Sequence, residues 1–294
     1  VNIMAGEERH QFRRAEHLVF MNPCLSLLRR ILCAVLLFFL VSQISGCSGS
    51  DEGLSADSEY LRLDLPALYS TVHTISIQVA HEPEAAPYTG STFSDIPYWS
   101  ILETNIQALF AGRILEPDVI VPRDLEAMEQ IPDQFRSSWT AKDIYALAND
   151  LWNQPHSTSM AEFLVLFLKG YFEDQGTPND NVLGVSLVGT PVIAVFKDVI
   201  RAAGSSPYLT SFVEQATLVH EFGHVMGLVN NGVPMVTEHE DAEYPLHCTN
   251  QNCVMYWQNE GAPDLRIFAQ QMLISGSIVM FCDECLEDTR GYAP

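Results

Sequence analysis

From Thr74 to Ala80 apolar and polar residues alternate (TISIQVA), the period-two pattern of a strand buried on one face. The period then lengthens. Between Tyr98 and Ala111, residues Ile101, Ile106, Leu109 and Phe110 fall on one side of a helix. A second helix is predicted from Thr140 to Trp152, with Thr140 as N-cap ahead of Ala141-Lys142-Asp143. Phe163 to Leu168 (FLVLFL) is continuously apolar and reads as a buried strand. Leu183 to Val188 and Val192 to Phe196 read as two short strands punctuated by Gly189-Thr190-Pro191. One long helix is predicted from Thr210 to Val229, ending near Gly227, and a last one from Asp264 to Leu273. From Asn230 onward the chain is rich in Asn, Gly, Pro and acidic residues. The pattern is a mixed α/β upper part followed by an irregular lower part.

The N-terminal residues follow different rules. Arg29 and Arg30 precede an unbroken apolar run from Ile31 to Val41, shorter than the ~20 residues a membrane-spanning helix needs. Ile44-Ser45-Gly46-Cys47 resembles the lipobox of bacterial lipoproteins, which makes Cys47 the expected lipidation site. The alternative is an ordinary secretory signal with an incidental cysteine. Ser48 lacks the aspartate that often retains lipoproteins in the inner membrane, so the expected location is the cell envelope, at the outer membrane. Residues 1–20 do not look like a signal n-region, and Met21 is the expected start. The expected organisation is a signal segment over 1–46, a tether over 47–58, an upper α/β subdomain over 59–229 and a lower subdomain over 230–294.

Composition narrows the function classes. Hydrophobic content of 47% and charged content of 18% describe a globular chain with a real core. A net charge of −22 excludes nucleic acid as a partner, because phosphate binding needs clustered Lys and Arg. The acidity suits a well-solvated surface on an exported protein.

The strongest chemical signal is His220-Glu221-Phe222-Gly223-His224 on the long helix. Positions i and i+4 share a helix face, so both imidazoles can bind one Zn²⁺. Glu221 between them suits a general base that takes the proton of an activated water. A catalytic zinc usually has three protein ligands, so a third is required. In the longer metzincin pattern, HExxHxxGxxH, Gly227 matches the glycine, but Asn230 stands where the third histidine belongs. A neutral amide oxygen is a weak zinc donor.

Downstream, His247-Cys248-Thr249-Asn250-Gln251-Asn252-Cys253-Val254-Met255 reads as HCx4CxM, and Cys282-Asp283-Glu284-Cys285 supplies a CxxC. Together with HExxHxxG this resembles the archaemetzincin family, over about residues 210 to 290. The resemblance implies a metzincin-like α/β (α+β) fold. That is a twisted mixed sheet with two long helices over an active-site cleft, and an irregular C-terminal part below. A strand near Leu183 to Phe196 is then the expected cleft-lining edge. It also implies a zinc endopeptidase acting on peptide or protein substrates, with His220, His224 and His247 as ligands and Met255 in the Met-turn. Residues 231–246 become an insertion between the glycine turn and the third ligand, and the spacing from Met255 to Cys282 is longer than the family's. His239 is the runner-up third ligand, and Asp241 could serve as a carboxylate ligand. Tyr256 is given no catalytic role.

Two readings stand for Cys248, Cys253, Cys282 and Cys285. The resemblance implies a second, structural zinc; in an oxidising compartment the same set could form two disulfides, though a CxxC disulfide is a strained small ring. Two rival functions also remain: a non-catalytic binding module, motivated by Asn230, and a redox protein built on Cys282 and Cys285. Retention of Glu221 argues against the first. The second lacks a thioredoxin-like context.

Overall fold

Alternation in the first strand buries Ile75, Ile77 and Val79 on one face, and this strand seeds the main sheet. The computed structural model describes residues 61–152 and 157–294. Its first half runs α1 (Leu65–Ser70), β1 (Thr74–His81), α2 (Tyr98–Phe110), β2 (Asp118–Ile120), β3 (Glu129–Gln130), β4 (Ser138–Trp139) and α3 (Ala141–Leu151). Then come β5 (Met160–Leu168), β6 (Tyr171–Asp174), β7 (Thr177–Asn179), β8 (Gly184–Ser186) and β9 (Val192–Phe196). Helices α4 (Lys197–Ala203), α5 (Pro207–Val225), α6 (Ala262–Ser275) and α7 (Asp283–Gly291) complete the chain. The expected signal segment, the Cys47 anchor and the tether lie outside the described residues.

The main sheet is twisted and mixed, in the order β2-β1-β5-β9-β8, with β3 also pairing β1. All its pairings are parallel except β8 with β9. Strands β5 and β9 are covered on both faces, which is why their sequences are continuously apolar. Strand β8 is antiparallel and lies at the edge, where a cleft-lining strand was expected. A second, small sheet orders β4-β6-β7 and was not visible in the sequence pattern.

Helix α3 begins as the sequence predicts: the Thr140 side chain accepts from the Asp143 amide, and Asp143 reaches back to the Thr140 amide. The long helix starts earlier than expected. Ser206 caps it through the Leu209 amide and Pro207 occupies its first turn, while Thr210 only bonds back to the Ser206 carbonyl. It ends at Val225, ahead of Gly227 at φ +83°. From Leu209 to Val225 every residue of α5 is buried, so this helix runs through the interior and packs against β8, β9, α2 and α6.

The lower part is less irregular than expected. It contains α6, a 3₁₀ turn over Trp257–Glu260, and α7, an acidic helix with no apolar stripe to announce it. Buried Asn105 on α2 ties this part to the upper one, donating to the Ile278 carbonyl at 2.6 Å and accepting from the Met280 amide at 2.8 Å. No helix among the described residues is long and apolar enough to cross a membrane.

Candidate metal centres

Three imidazoles meet where α5 passes beneath the sheet edge. His220 and His224 lie one turn apart on α5, with their Nε2 atoms 3.2 Å from each other. His247 arrives from the loop, its ring centroid 5.5 Å from that of His220 and 4.9 Å from that of His224. One donor atom from each, together with a carboxylate oxygen of Glu260, lies within 4.8 Å of all the others. Of the sequence candidates, the structure thus brings together His220, His224 and His247. It adds Glu260, a single acid in a polar stretch with no spacing that ties it to the HExxH run.

The ring tautomers follow from the backbone. His220 Nδ1 donates to the Val254 carbonyl at 2.8 Å, and His247 Nδ1 donates to the Pro245 carbonyl at 3.0 Å. Because a carbonyl can only accept, each Nδ1 carries a proton, and Nε2 is the nitrogen left to face a metal. Val254 is itself held by its amide bond to the Met280 carbonyl, at 2.9 Å, so Asn105 fixes His220 through two intervening residues. Burial, then the charge of His247, holds the His220 pKa down to about 4; burial and the two neighbouring rings hold His224 well below its usual value. Both rings are therefore neutral donors at neutral pH, the form a metal requires.

Glu221 is also buried. Burial, followed by the nearby Glu260, raises its pKa to about 8, and hydrogen bonds from Ser186 on β8 pull the other way. Among the described residues, its buried Oε2 has no hydrogen-bond partner. Gly184, two residues along β8, permits this approach: a Cβ there would stand 3.1 Å from Glu221 Cγ and 2.8 Å from Thr217 Cγ2. Beneath the same turn, a Cβ on Gly223 would meet Met255 Sδ at 2.2 Å, so the glycine between the two histidines admits the buried methionine.

Between helix and third imidazole the chain makes a tight excursion. Gly227, Val229, Asn230 and Gly232 all have positive φ, and Val229, being β-branched, is strained there. Asn230 Nδ2 donates to Glu240 at 3.3 Å, so it serves the insertion, not the histidines. The strand-like segment around Glu240 pairs antiparallel with Cys248, returning His247 to the helix. Asp241 is occupied by the Glu243 and Tyr244 amides.

His239, the runner-up, stands elsewhere. Its Nδ1 lies 3.3 Å from Cys248 Sγ and its Nε2 lies 2.7 Å from Asp288 on α7. Asp288, first among the causes, and Cys248 raise the His239 pKa to about 10.

Cys248, Cys253, Cys282 and Cys285 form a second cluster, each Sγ within 4.8 Å of the others, and all four are free thiols. Cys248 Sγ is 3.7 Å from Cys282 Sγ, and Cys253 Sγ is 3.6 Å from Cys285 Sγ. A disulfide needs about 2.05 Å, whereas thiolates tetrahedrally around Zn²⁺ at ~2.3 Å stand about 3.8 Å apart. The spacing fits a metal. Backbone amides of Asn250 and Cys282 point at Cys248 and Cys253 sulfurs, as they do toward thiolates. The neighbouring thiols lower the Cys248 pKa, while burial raises Cys253 and the other thiols raise Cys285; four such groups cannot all ionise without a cation among them. The CxxC residues thus face partners from the other segment and do not stand as an isolated redox pair.

No protein-family model matches the sequence, and no curated protein matches it. Among the solved structures similar to this chain are two zinc peptidases. One is a zinc-dependent peptidase from Methanocorpusculum labreanum (strain Z), at 15% identity and a TM-score of 0.39, covering 72% of this chain and 99% of that one. The other is archaemetzincin (AmzA) from Archaeoglobus fulgidus, complexed with malonate, at 15% identity and a TM-score of 0.35, with the same coverage.

Besides Glu260, sequence reasoning missed Asp288 and Ser186. Asp288 lies 49 positions from His239 in sequence, and nothing in an acidic helix distinguishes it. Ser186 lies in a strand the pattern did locate.

Proposed function

We propose that this protein is a zinc-dependent endopeptidase. The observation that carries the reading is the convergence of three buried imidazoles, two with Nδ1 tied to a carbonyl, beside a buried carboxylate on the same helix. His220, His224 and His247 would hold a Zn²⁺, which would supply Lewis-acid activation of a water and of the scissile carbonyl. Glu221 takes the proton of the attacking water and returns it to the leaving amine.

Among the described residues, strand β8 has one edge unpaired in the main sheet, so an extended peptide can add there as a further strand, above the α5 carboxylate. Met255 packs as an apolar floor against Gly223. The four thiolates would hold a second, structural zinc. The sequence of residues 29–47 supports export and a lipid anchor at Cys47.

Replacing Glu221 by Gln tests the activity. Cleavage of an unfolded protein or a fluorogenic peptide should fall by at least a thousandfold while the zinc content stays that of the wild type. Unchanged cleavage would remove the peptidase assignment.

A further inference from the structure

Glu260 ends the 3₁₀ turn Trp257–Glu260, just past the segment that carries His247 and Met255. Its Oε1 lies 2.9 Å from His247 Nε2, the same kind of separation as the 3.2 Å between the Nε2 atoms of His220 and His224. Donors arranged tetrahedrally around Zn²⁺ at ~2.0–2.1 Å stand about 3.3 Å apart. The two measured separations are close to that spacing, and all four donors lie within 4.8 Å of one another.

The turn that carries Glu260 is anchored to both metal clusters. Asn259 Nδ2 donates to the Cys253 carbonyl at 3.0 Å and to the Val254 carbonyl at 3.1 Å. Val254 is the residue whose carbonyl holds His220. From the other side Trp257 stacks on Tyr244 of the insertion, with ring centroids 3.8 Å apart and planes 4° from parallel. The insertion that delivers His247 therefore also braces the turn that delivers Glu260.

We propose that Glu260 is a fourth protein ligand of the imidazole-bound metal and that it must step aside before substrate can be engaged. The inference rests on the reading of His220, His224 and His247 as a zinc site. A catalytic zinc ordinarily keeps one position open, whereas a fourth side-chain donor closes it. Opening is ligand exchange: one carboxylate oxygen leaves as a water or carbonyl oxygen enters, and no proton or electron is transferred. The Glu260 side chain is 25% exposed, which leaves it a path toward solvent.

The test uses the full chain loaded with zinc or with cadmium-113, whose nuclear resonance separates a nitrogen–oxygen site from a thiolate site. Glu260→Ala and the isosteric Glu260→Gln should each weaken zinc at the imidazole site at least tenfold in chelator competition. Both should move the nitrogen–oxygen resonance and leave the thiolate resonance in place, which also reports an intact fold. Millimolar acetate should return the Glu260→Ala resonance toward that of the wild type and leave the wild type unmoved. Zinc affinity within twofold of wild type, an unmoved resonance, or acetate shifting the wild type as readily as the variant would each overturn the proposal. None of these measurements involves peptide cleavage, so their failure leaves the peptidase reading to stand or fall on Glu221→Gln.

Discussion

His239 Nε2 lies 2.7 Å from Asp288 Oδ2, and through this pair the 231–246 insertion is fastened to the C-terminal helix. The other Asp288 oxygen accepts the Val236 amide at 2.7 Å, so one carboxylate holds the insertion at two points. The ring's far nitrogen faces Cys248 Sγ, which gives a thiolate a charged hydrogen-bond donor. His239→Ala or Asp288→Asn should therefore weaken metal at the thiolate cluster by about 10–100-fold, the usual effect of removing an outer partner. Metal at the imidazole cluster should be retained. Metal content after graded chelation measures both, and equal retention at the thiolates would show that the pair serves packing alone.

Gly223→Ala places a methyl group 2.2 Å from Met255 Sδ and 3.1 Å from Phe281. Overpacking of this kind costs about 1–3 kcal/mol, readable as a lower denaturant midpoint. Met255→Leu conserves volume and should cost less than about 1.5 kcal/mol.

Gly184→Ala acts on chemistry more than on stability. The added carbon presses on Thr217 Cγ2 and on Glu221 Cγ, displacing the carboxylate from the position Ser186 gives it. The expected outcome is a fall in kcat of tenfold or more with little change in KM. A variant as active as wild type would place the functional carboxylate oxygen beyond the reach of this contact.

The strands β1, β5 and β9 and the cap at Thr140 were legible because each rests on local pattern: alternation, a both-faces apolar run, or a capping residue three positions from its partner. The short strands of the second sheet and α7 were not, since two to four residues carry no period and α7 has no apolar stripe. In the site, His220 and His224 are joined by helix geometry and so were readable from spacing. His247 was reached only through the family resemblance, because its approach depends on the fold of the insertion. Glu260 and Asp288 meet their histidines through tertiary packing, and no spacing in the chain records it.

Lys197 and Glu214 form a fully buried ion pair. The Tyr88 amide donates to Glu214 at 2.7 Å, and the Lys197 ammonium lies 3.5 Å from the centre of the Tyr88 ring. Lys197→Met would strand the carboxylate in an apolar interior, with an expected loss of about 3–5 kcal/mol. Adding Glu214→Gln should recover much of that loss in the same denaturation experiment. No recovery would mean that the lysine contributes through packing and not through charge.

Burial raises the Glu221 pKa from 4.5 to about 8 in the metal-free fold. Between those values the unfolded chain has released a proton that the folded chain retains. The metal-free protein should therefore lose stability as pH rises from about 4.5 to about 8, with the full contribution present below that window. Thermal melts of chelator-treated wild type and Glu221→Gln isolate the effect, because the variant lacks it. Parallel pH curves for the two would show that Glu221 stays ionised when folded.

His247 and Cys248 are consecutive residues, so the third imidazole and the first thiol share one peptide bond. Oxidation that joined Cys248 to Cys282 would draw two sulfurs from 3.7 Å to about 2.05 Å and drag His247 with them. On the proposed peptidase reading, peroxide that formed this disulfide would impair hydrolysis through the scaffold and leave the catalytic carboxylate untouched.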